Sequence, residues 1–357
     1  MTSTSALPLH PAAAHRLRTR AVMVGLGAAL VAAVLVGVGI GSVWISPAQV
    51  VSILGRRIGV PPLAEFSEQQ ALVLEFIRLP RVVLGVLVGG SLAVSGALMQ
   101  GLFRNPLAEP GLAGVSAGSA LAAALWIVLG GALVLPPVVA ANALAWAAFA
   151  GGLGTTFLVY RLASQGGRTR VTTLLLAGVA LSAMAGAVVG LMVFIATDAQ
   201  LRTLTFWTLG SLGGATWASI AGAAPLLAAP VVAAPWIARG LNALLLGESE
   251  AFHVGVRVER VKRAAIVLAA LGAGASVAVS GAIGFVGLVV PHLVRLALGP
   301  DHRTLLPASA LLGAILLLVA DVVARTVAAP AELPIGIVTS LVGGPFFLWM
   351  LLRERPS

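Results

Sequence analysis

This sequence predicts an all-α polytopic membrane protein of about ten transmembrane helices. Three observations predict it. First, 59% of the residues are hydrophobic and 10% are charged, with a mean hydropathy of +1.05. A soluble domain is about 45–50% apolar and about 25% charged, so no water-soluble globule could bury this much apolar surface. Second, charges and prolines cut the chain into apolar runs of about 20 residues, the length that crosses the hydrocarbon core of a bilayer. Third, the basic residues sort to one side once those runs are counted. Together these exclude a soluble enzyme, a nucleic-acid-binding module and a disordered chain. The 357 residues include no cysteine, so disulfides, thiolate chemistry and Cys-ligated metals are excluded too.

Taken in order, the elements begin with a tail over residues 1–20 that carries Arg16, Arg18 and Arg20. The run that follows is uncharged from Ala21 to Gly55. It is too long for the about 7–15-residue core of a signal peptide and reads as a retained first span, near 22–45. Further spans are expected near 82–103, 112–132, 138–160, 171–196, 216–237, 264–281, 284–298, 304–324 and 335–352. A shorter apolar piece at 203–212 reads as a surface or re-entrant helix. An even count puts both termini on one side, and the positive-inside rule makes that side cytoplasmic. On this map 16 of the 22 Lys and Arg face inward. Only Arg56, Arg57, Arg78, Arg81, Arg202 and Arg325 face outward. The acids divide evenly, so the whole excess of +10 lies on the inner side. The charge is thus a topology signal, with lipid contact as a further use, and not a nucleic-acid footprint.

The 42 glycines suit close helix packing, and the 20 prolines suit broken helices of the transporter kind. One echo is notable: Ala93-Val-Ser-Gly-Ala97 recurs as Ala278-Val-Ser-Gly-Ala282. The two copies lie five spans apart, which predicts an inverted repeat of spans 2–5 on spans 7–10.

Several absences narrow the function. No G-x-x-x-x-G-K-[S/T] loop exists, and Lys262 is the single lysine, so the chain has no Walker site for ATP. Carboxylates are nearly missing from the spans, which disfavours an ion-coupled secondary transporter. The inner loop 238–263 joins apolar Leu244, Leu245 and Phe252 to a run of charges. It reads either as a solvated loop or as a docking surface built from two short helices split at Gly247 and Gly255. Arg78-Leu-Pro-Arg81 at an outer helix end reads as an interfacial anchor or as a dock for an acidic partner. Arg325 is either a further outer cation or the partner of Asp321, four residues before it. Asn105-Pro-Leu-Ala-Glu-Pro-Gly111 must be a rigid non-helical turn, either a tight connector or a constriction of a pathway.

These motifs are together specific. Arg78-Leu-Pro-Arg81, Gly96-Ala-Leu-Met-Gln100, Asn105 to Gly111, Gly281-Ala-Ile-Gly-Phe-Val-Gly287 with Pro291-His292, Asp301-His-Arg303 and Glu332-Leu-Pro-Ile-Gly336 run from about residue 78 to 352. They closely resemble the permease subunits of ABC importers for iron–siderophores, haem and cobalamin. The resemblance implies a non-catalytic, single-domain permease in the bacterial inner membrane, both termini cytoplasmic. Its implied partners are a second copy of itself, two ATPase subunits, a periplasmic binding protein and membrane lipid. ATP and Mg would sit on the ATPases, leaving this chain no cofactor, metal or catalytic residue. By resemblance, Arg78, Arg81 and Arg325 would meet acidic groups of the binding protein. Asn105, Leu107, Thr172 and Thr173 would form the cytoplasmic gate. Gly247, Glu250, Ala251 and Gly255 would couple to the ATPase, and the path would run at the dimer axis near spans 5 and 10.

Residues 200–217, with Phe206, Trp207 and Trp217, look most like the haem-importing branch, although siderophore permeases carry close variants. One Tyr and five His in the chain suit a large apolar ligand that passes without tight binding. Haem is therefore the expected cargo, with a siderophore or cobalamin as the alternative within the family. An ion-coupled secondary transporter is the alternative outside it.

Overall fold

A computed structural model of the chain describes residues 11–353 except 42, 57, 133–135 and 141. The expectations for Arg57, for Arg355 and for residues 1–10 lie outside the described residues. Thirteen helices carry the fold among those described: α1 Pro11–Gly39, α2 Pro47–Arg56, α3 Glu68–Phe103, α4 Val115–Leu129, α5 Ala143–Ala163, α6 Val171–Ile195, α7 Asp198–Leu209, α8 Trp217–Leu246, α9 Glu248–His253, α10 Val258–Ser280, α11 Val286–Leu298, α12 His302–Thr326 and α13 Ile335–Arg353. Short 3₁₀ and irregular segments join them. Seven of these (α1, α3, α5, α6, α8, α10, α12) are long and apolar enough to cross a membrane, and α4, α11 and α13 are shorter apolar helices. Together they occupy the ten expected places.

Contacts across the bundle sort the connections into two ends. At one end Lys262 meets Thr169, Arg263 meets Tyr160, and Asn242 meets Asp301. At the other, Arg78 meets Val38, Arg325 meets Gly37, Arg81 meets Glu332, and Trp217 meets the Glu75 carbonyl. That is the alternation ten crossings require, and the first set is the basic end.

α3 is the axis of the bundle. Its apolar window is 83% buried, against 17% for α6. The reason is a face of small residues. A Cβ on Gly89 would lie 2.4 Å from the Gly313 carbonyl oxygen of α12, and one on Gly96 would lie 1.8 Å from the Gly287 carbonyl oxygen of α11. Helices meet backbone to backbone there because lipid gives them no hydrophobic drive to associate, so close packing must supply it.

Four expectations need correction. Helix α1 begins at Pro11, so residues 11–20 belong to the first helix and not to a tail before it; nothing between Pro11 and Arg20 breaks a helix. The first span ends at Gly39 rather than near 45, where the chain turns under Arg78. The inner loop holds one short helix, α9, because α8 and α10 extend into it from both sides. The sequence echo falls in unlike settings: Gly96 is inside α3, whereas Gly281 caps the end of α10 at φ +69°. The two copies are not equivalent positions and carry no argument for a repeat. The piece at 203–212 is α7, set between spans at the end opposite the basic one, started by a Thr197–Gln200 capping box and stopped at Gly210.

Candidate functional site

Three groups of residues carry the candidate function: a charge cluster, a tight loop and a strap. The charge cluster lies at the end opposite the basic one. α1 stops with its last carbonyls unpaired, as helices do. Arg78 donates to Val38 O at 2.7 Å and Gly39 O at 2.8 Å, and also to Val43 O. Arg325 donates to Gly37 O. Two guanidinium groups thus cap the negative end of one helix. Arg81 donates from Nε to Asp321 at 2.8 Å and from Nη1 to both Glu332 oxygens at 2.9 and 3.0 Å. Arg325 also pairs with Asp321 at 3.4 Å, the four-residue pairing read from spacing.

These arginines are therefore committed inward. Arg78 is 3% exposed, and the side chains of Arg81 and Arg325 are 8% and 7% exposed. The resemblance assigns all three to an acidic partner; in this structure carbonyls and carboxylates of the same chain take most of their donors, and Arg325 Nε makes no hydrogen bond among the described residues. The half-exposed member of the cluster is Glu332, at 50%. Glu332 was legible only as part of a motif, and its pairing across 251 residues had no local signal.

The tight loop follows α3 at the basic end. Arg104 turns the chain in the left-handed region at φ +50°. The Asn105 side-chain oxygen then accepts the Leu107 N–H at 2.9 Å, an Asx turn. Asn105 is exposed, Leu107 is half-buried and Ala108 is buried. Burial pushes the Glu109 carboxyl above the usual carboxylate range. Residues 110–113 then pack on α6, where a Cβ on Gly178 would lie 1.9 Å from Leu112 O. Thr172 and Thr173 form the first turn of the same helix, Thr172 exposed and Thr173 half-buried. The segment that follows Asn105 and Leu107 thus packs on the helix that Thr172 and Thr173 begin. Above them α6 exposes Leu176, Val179, Met184, Leu191 and Phe194, and α13 exposes Leu341, Val342 and Leu348. His292 is buried edge-on against Phe346 of α13.

The strap is α9 with its flanks. Gly247 at φ +127° and Gly255 at φ +82° make the sharp turns at either side. Glu250 folds back over Gly247, where a Cβ would lie 2.1 Å from its Oε2. Ala251 is fully buried and seats the helix. Lys262, a buried residue, holds the base of the strap. Its Nζ donates to Glu248 at 2.6 Å, Thr169 O at 3.0 Å and Glu259 at 3.2 Å. That lysine was legible as the chain's only one, but not as a junction of three segments. Leu246, Phe252 and Val254 point outward and are exposed. Nearby, the Asn242 amide donates to Asp301 at 2.6 Å, and its oxygen accepts the His302 N–H at 2.8 Å. Burial alone would raise the Asp301 carboxyl; the Arg303 N–H, the Asn242 amide and nearby positive charge outweigh it and hold it below its ordinary range.

Comparison with known proteins agrees with these motifs. The hemin transport system permease protein HmuU of Yersinia pestis is 51% identical over 279 residues, 78% of this chain and 83% of that protein. The cobalamin import system permease protein BtuC of Halobacterium salinarum is 45% identical over 299 residues, 84% of this chain and 76% of its own. A solved structure described as an inward-facing conformation of a metal-chelate type ABC transporter superposes with a TM-score of 0.79. It is 31% identical and covers 94% of this chain and 99% of its own. The FecCD transport family matches residues 29–353. Motifs, helix order and relatives converge, and the chain belongs to the FecCD transport family.

Proposed function

We propose that this chain is the membrane permease subunit of an ATP-driven importer that moves haem from a periplasmic binding protein into the cytoplasm. The observation that carries the reading is the 51% identity to a hemin permease over most of both chains. The basic end would face the cytoplasm of a bacterial inner membrane, with both termini there. The chain would make no covalent change; ATPase partners would bias which of two helix arrangements is populated. The exposed apolar faces of α6 and α13 support a path at the axis of a dimer of this chain. Asn105, Leu107, Thr172 and Thr173 would close its cytoplasmic end. A cobalamin cargo is the second reading, favoured by the 45% identical relative. The decisive experiment is uptake into proteoliposomes holding this chain, its ATPase and a haem-binding periplasmic protein. Haem should accumulate with ATP, and ferric siderophore and cobalamin should not. Cobalamin uptake in place of haem would overturn the cargo, and uptake without any ATPase would overturn the class.

The strap gives a sharper prediction. Leu246, Phe252 and Val254 form an apolar surface that suits the cleft of an ATPase partner. Phe252→Asp buries no charge in this chain, since Phe252 is exposed. It should leave folding unchanged and reduce ATP-driven uptake at least about tenfold, the effect of losing one hot-spot side chain. Normal uptake by that variant would move coupling away from α9.

A further inference from the structure

We infer that Glu332 is a replaceable carboxylate: it holds Arg81 when no partner is docked, and an acidic side chain of the partner exchanges with it. The inference rests on the reading that this end receives an acidic binding protein, and adds how it does so.

Arg81 has two kinds of acid partner. Asp321 is 3% exposed and lies on α12, a packed spanning helix. Glu332 is 50% exposed and lies on the link between α12 and α13, with residues 329–332 all exposed. Both Glu332 oxygens reach the single nitrogen Nη1 of Arg81, a charge-assisted contact that another carboxylate can make in its place. The cluster brings three positive side chains, Arg78, Arg81 and Arg325, to two negative ones, Asp321 and Glu332. Its charge invites a further carboxylate, and the site for one is already filled from within. Glu332 is half solvated and reaches Arg81 from a link rather than a packed helix, so a partner's carboxylate can take its place. It cannot so displace buried Asp321.

The exchange would reach the path. The link is held at three described points: Glu332 to Arg81, the Leu333 N–H to Ala324 O at 2.9 Å, and the Ile335 N–H to Gly210 O at 3.0 Å. Ile335 is the first residue of α13. Its neighbour Gly336 is pressed on the end of α7, where a Cβ would lie 2.3 Å from Leu209 O. Losing the Glu332 contact removes the side-chain tether and leaves two backbone bonds at the root of α13. α13 lies on the bundle's edge with exposed apolar residues, so its root is where a docking event can be passed on.

The chain has no cysteine, so Ala331→Cys takes a single nitroxide label. The full-length labelled chain is placed in lipid nanodiscs, with and without Glu332→Gln, and titrated with poly-L-glutamate at low salt. Glu332→Gln should raise label mobility by itself. It should also tighten poly-L-glutamate binding about two- to fivefold. Added salt should erase the difference. Glu332→Asp keeps the charge and should behave nearer the parent. Label mobility unchanged by Glu332→Gln overturns the latch. Greater mobility without tighter binding overturns the exchange while leaving an acidic dock in place. No binding by either form overturns the exchange together with the acidic dock itself.

Discussion

Arg81→Ala is expected to lower the unfolding free energy by about 3–5 kcal/mol, the cost of breaking a buried ion pair from one side. The substitution leaves the Asp321 carboxylate 3% exposed, with Arg325 at 3.4 Å as its remaining cation. That surviving contact places the expectation at the lower end of the range. Glu332 loses its partner too, but it is half-exposed and water can solvate it. Arg81→Lys keeps the charge and loses the fork that serves two acids at once, so it should fall between. Combining Arg81→Ala with Asp321→Asn should cost less than the two single changes added, because they act on one contact. Denaturant unfolding of the purified chain in detergent checks all four. An Arg81→Ala value within about 0.5 kcal/mol of the parent, the spread of ordinary surface changes, would show that the cluster does not hold α3 to α12.

The second large effect concerns the axis helix. Gly96→Ala adds one methyl where the Gly287 carbonyl oxygen would stand 1.8 Å away. No rotamer relieves a Cβ, so α3 and α11 must separate. Overpacking of this kind costs about 1–3 kcal/mol and occasionally more, and here it also loosens the contact that substitutes for hydrophobic drive in lipid. Gly287→Ala meets Leu92 O at 3.0 Å and should be milder. Gly154→Ala in α5 has nothing within 4 Å and should be neutral or slightly stabilising. Monodisperse yield after extraction, with the unfolding midpoint, ranks the three. Gly96→Ala ranking with Gly154→Ala would mean that this interface yields freely.

Legibility followed locality. The fifth span was expected at 171–196 and is helical over Val171–Ile195; the last two were expected at 304–324 and 335–352 and are helical over His302–Thr326 and Ile335–Arg353. The second was expected from residue 82, yet the helix starts at Glu68. Glu68, Glu75 and Arg78 hid that extension from a hydropathy reading, and tertiary contacts absorb two of them: Glu75 and Arg78 are buried. The tight loop after α3 was legible because Pro106, Pro110 and Gly111 fall within six residues; a lone proline says less, since Pro230 and Pro291 sit inside α8 and α11. The strap was half legible: its glycines marked the turns, but the lysine that ties it to Thr169 did so through space.

By itself, the sequence determined the membrane class, the ten crossings, the basic end and the family. Each rests on a local quantity: the transfer of about 20 consecutive residues into hydrocarbon, a charge count per loop, or a contiguous motif. Only the tertiary structure decided what the arginines do. Arg81 finds its acids 240 and 251 residues away, and Arg78 is taken up by the end of α1. A charge near a helix end reads alike in sequence whether it faces water or carbonyls. What separates the two is burial, which forces every guanidinium removed from water to find partners within the chain.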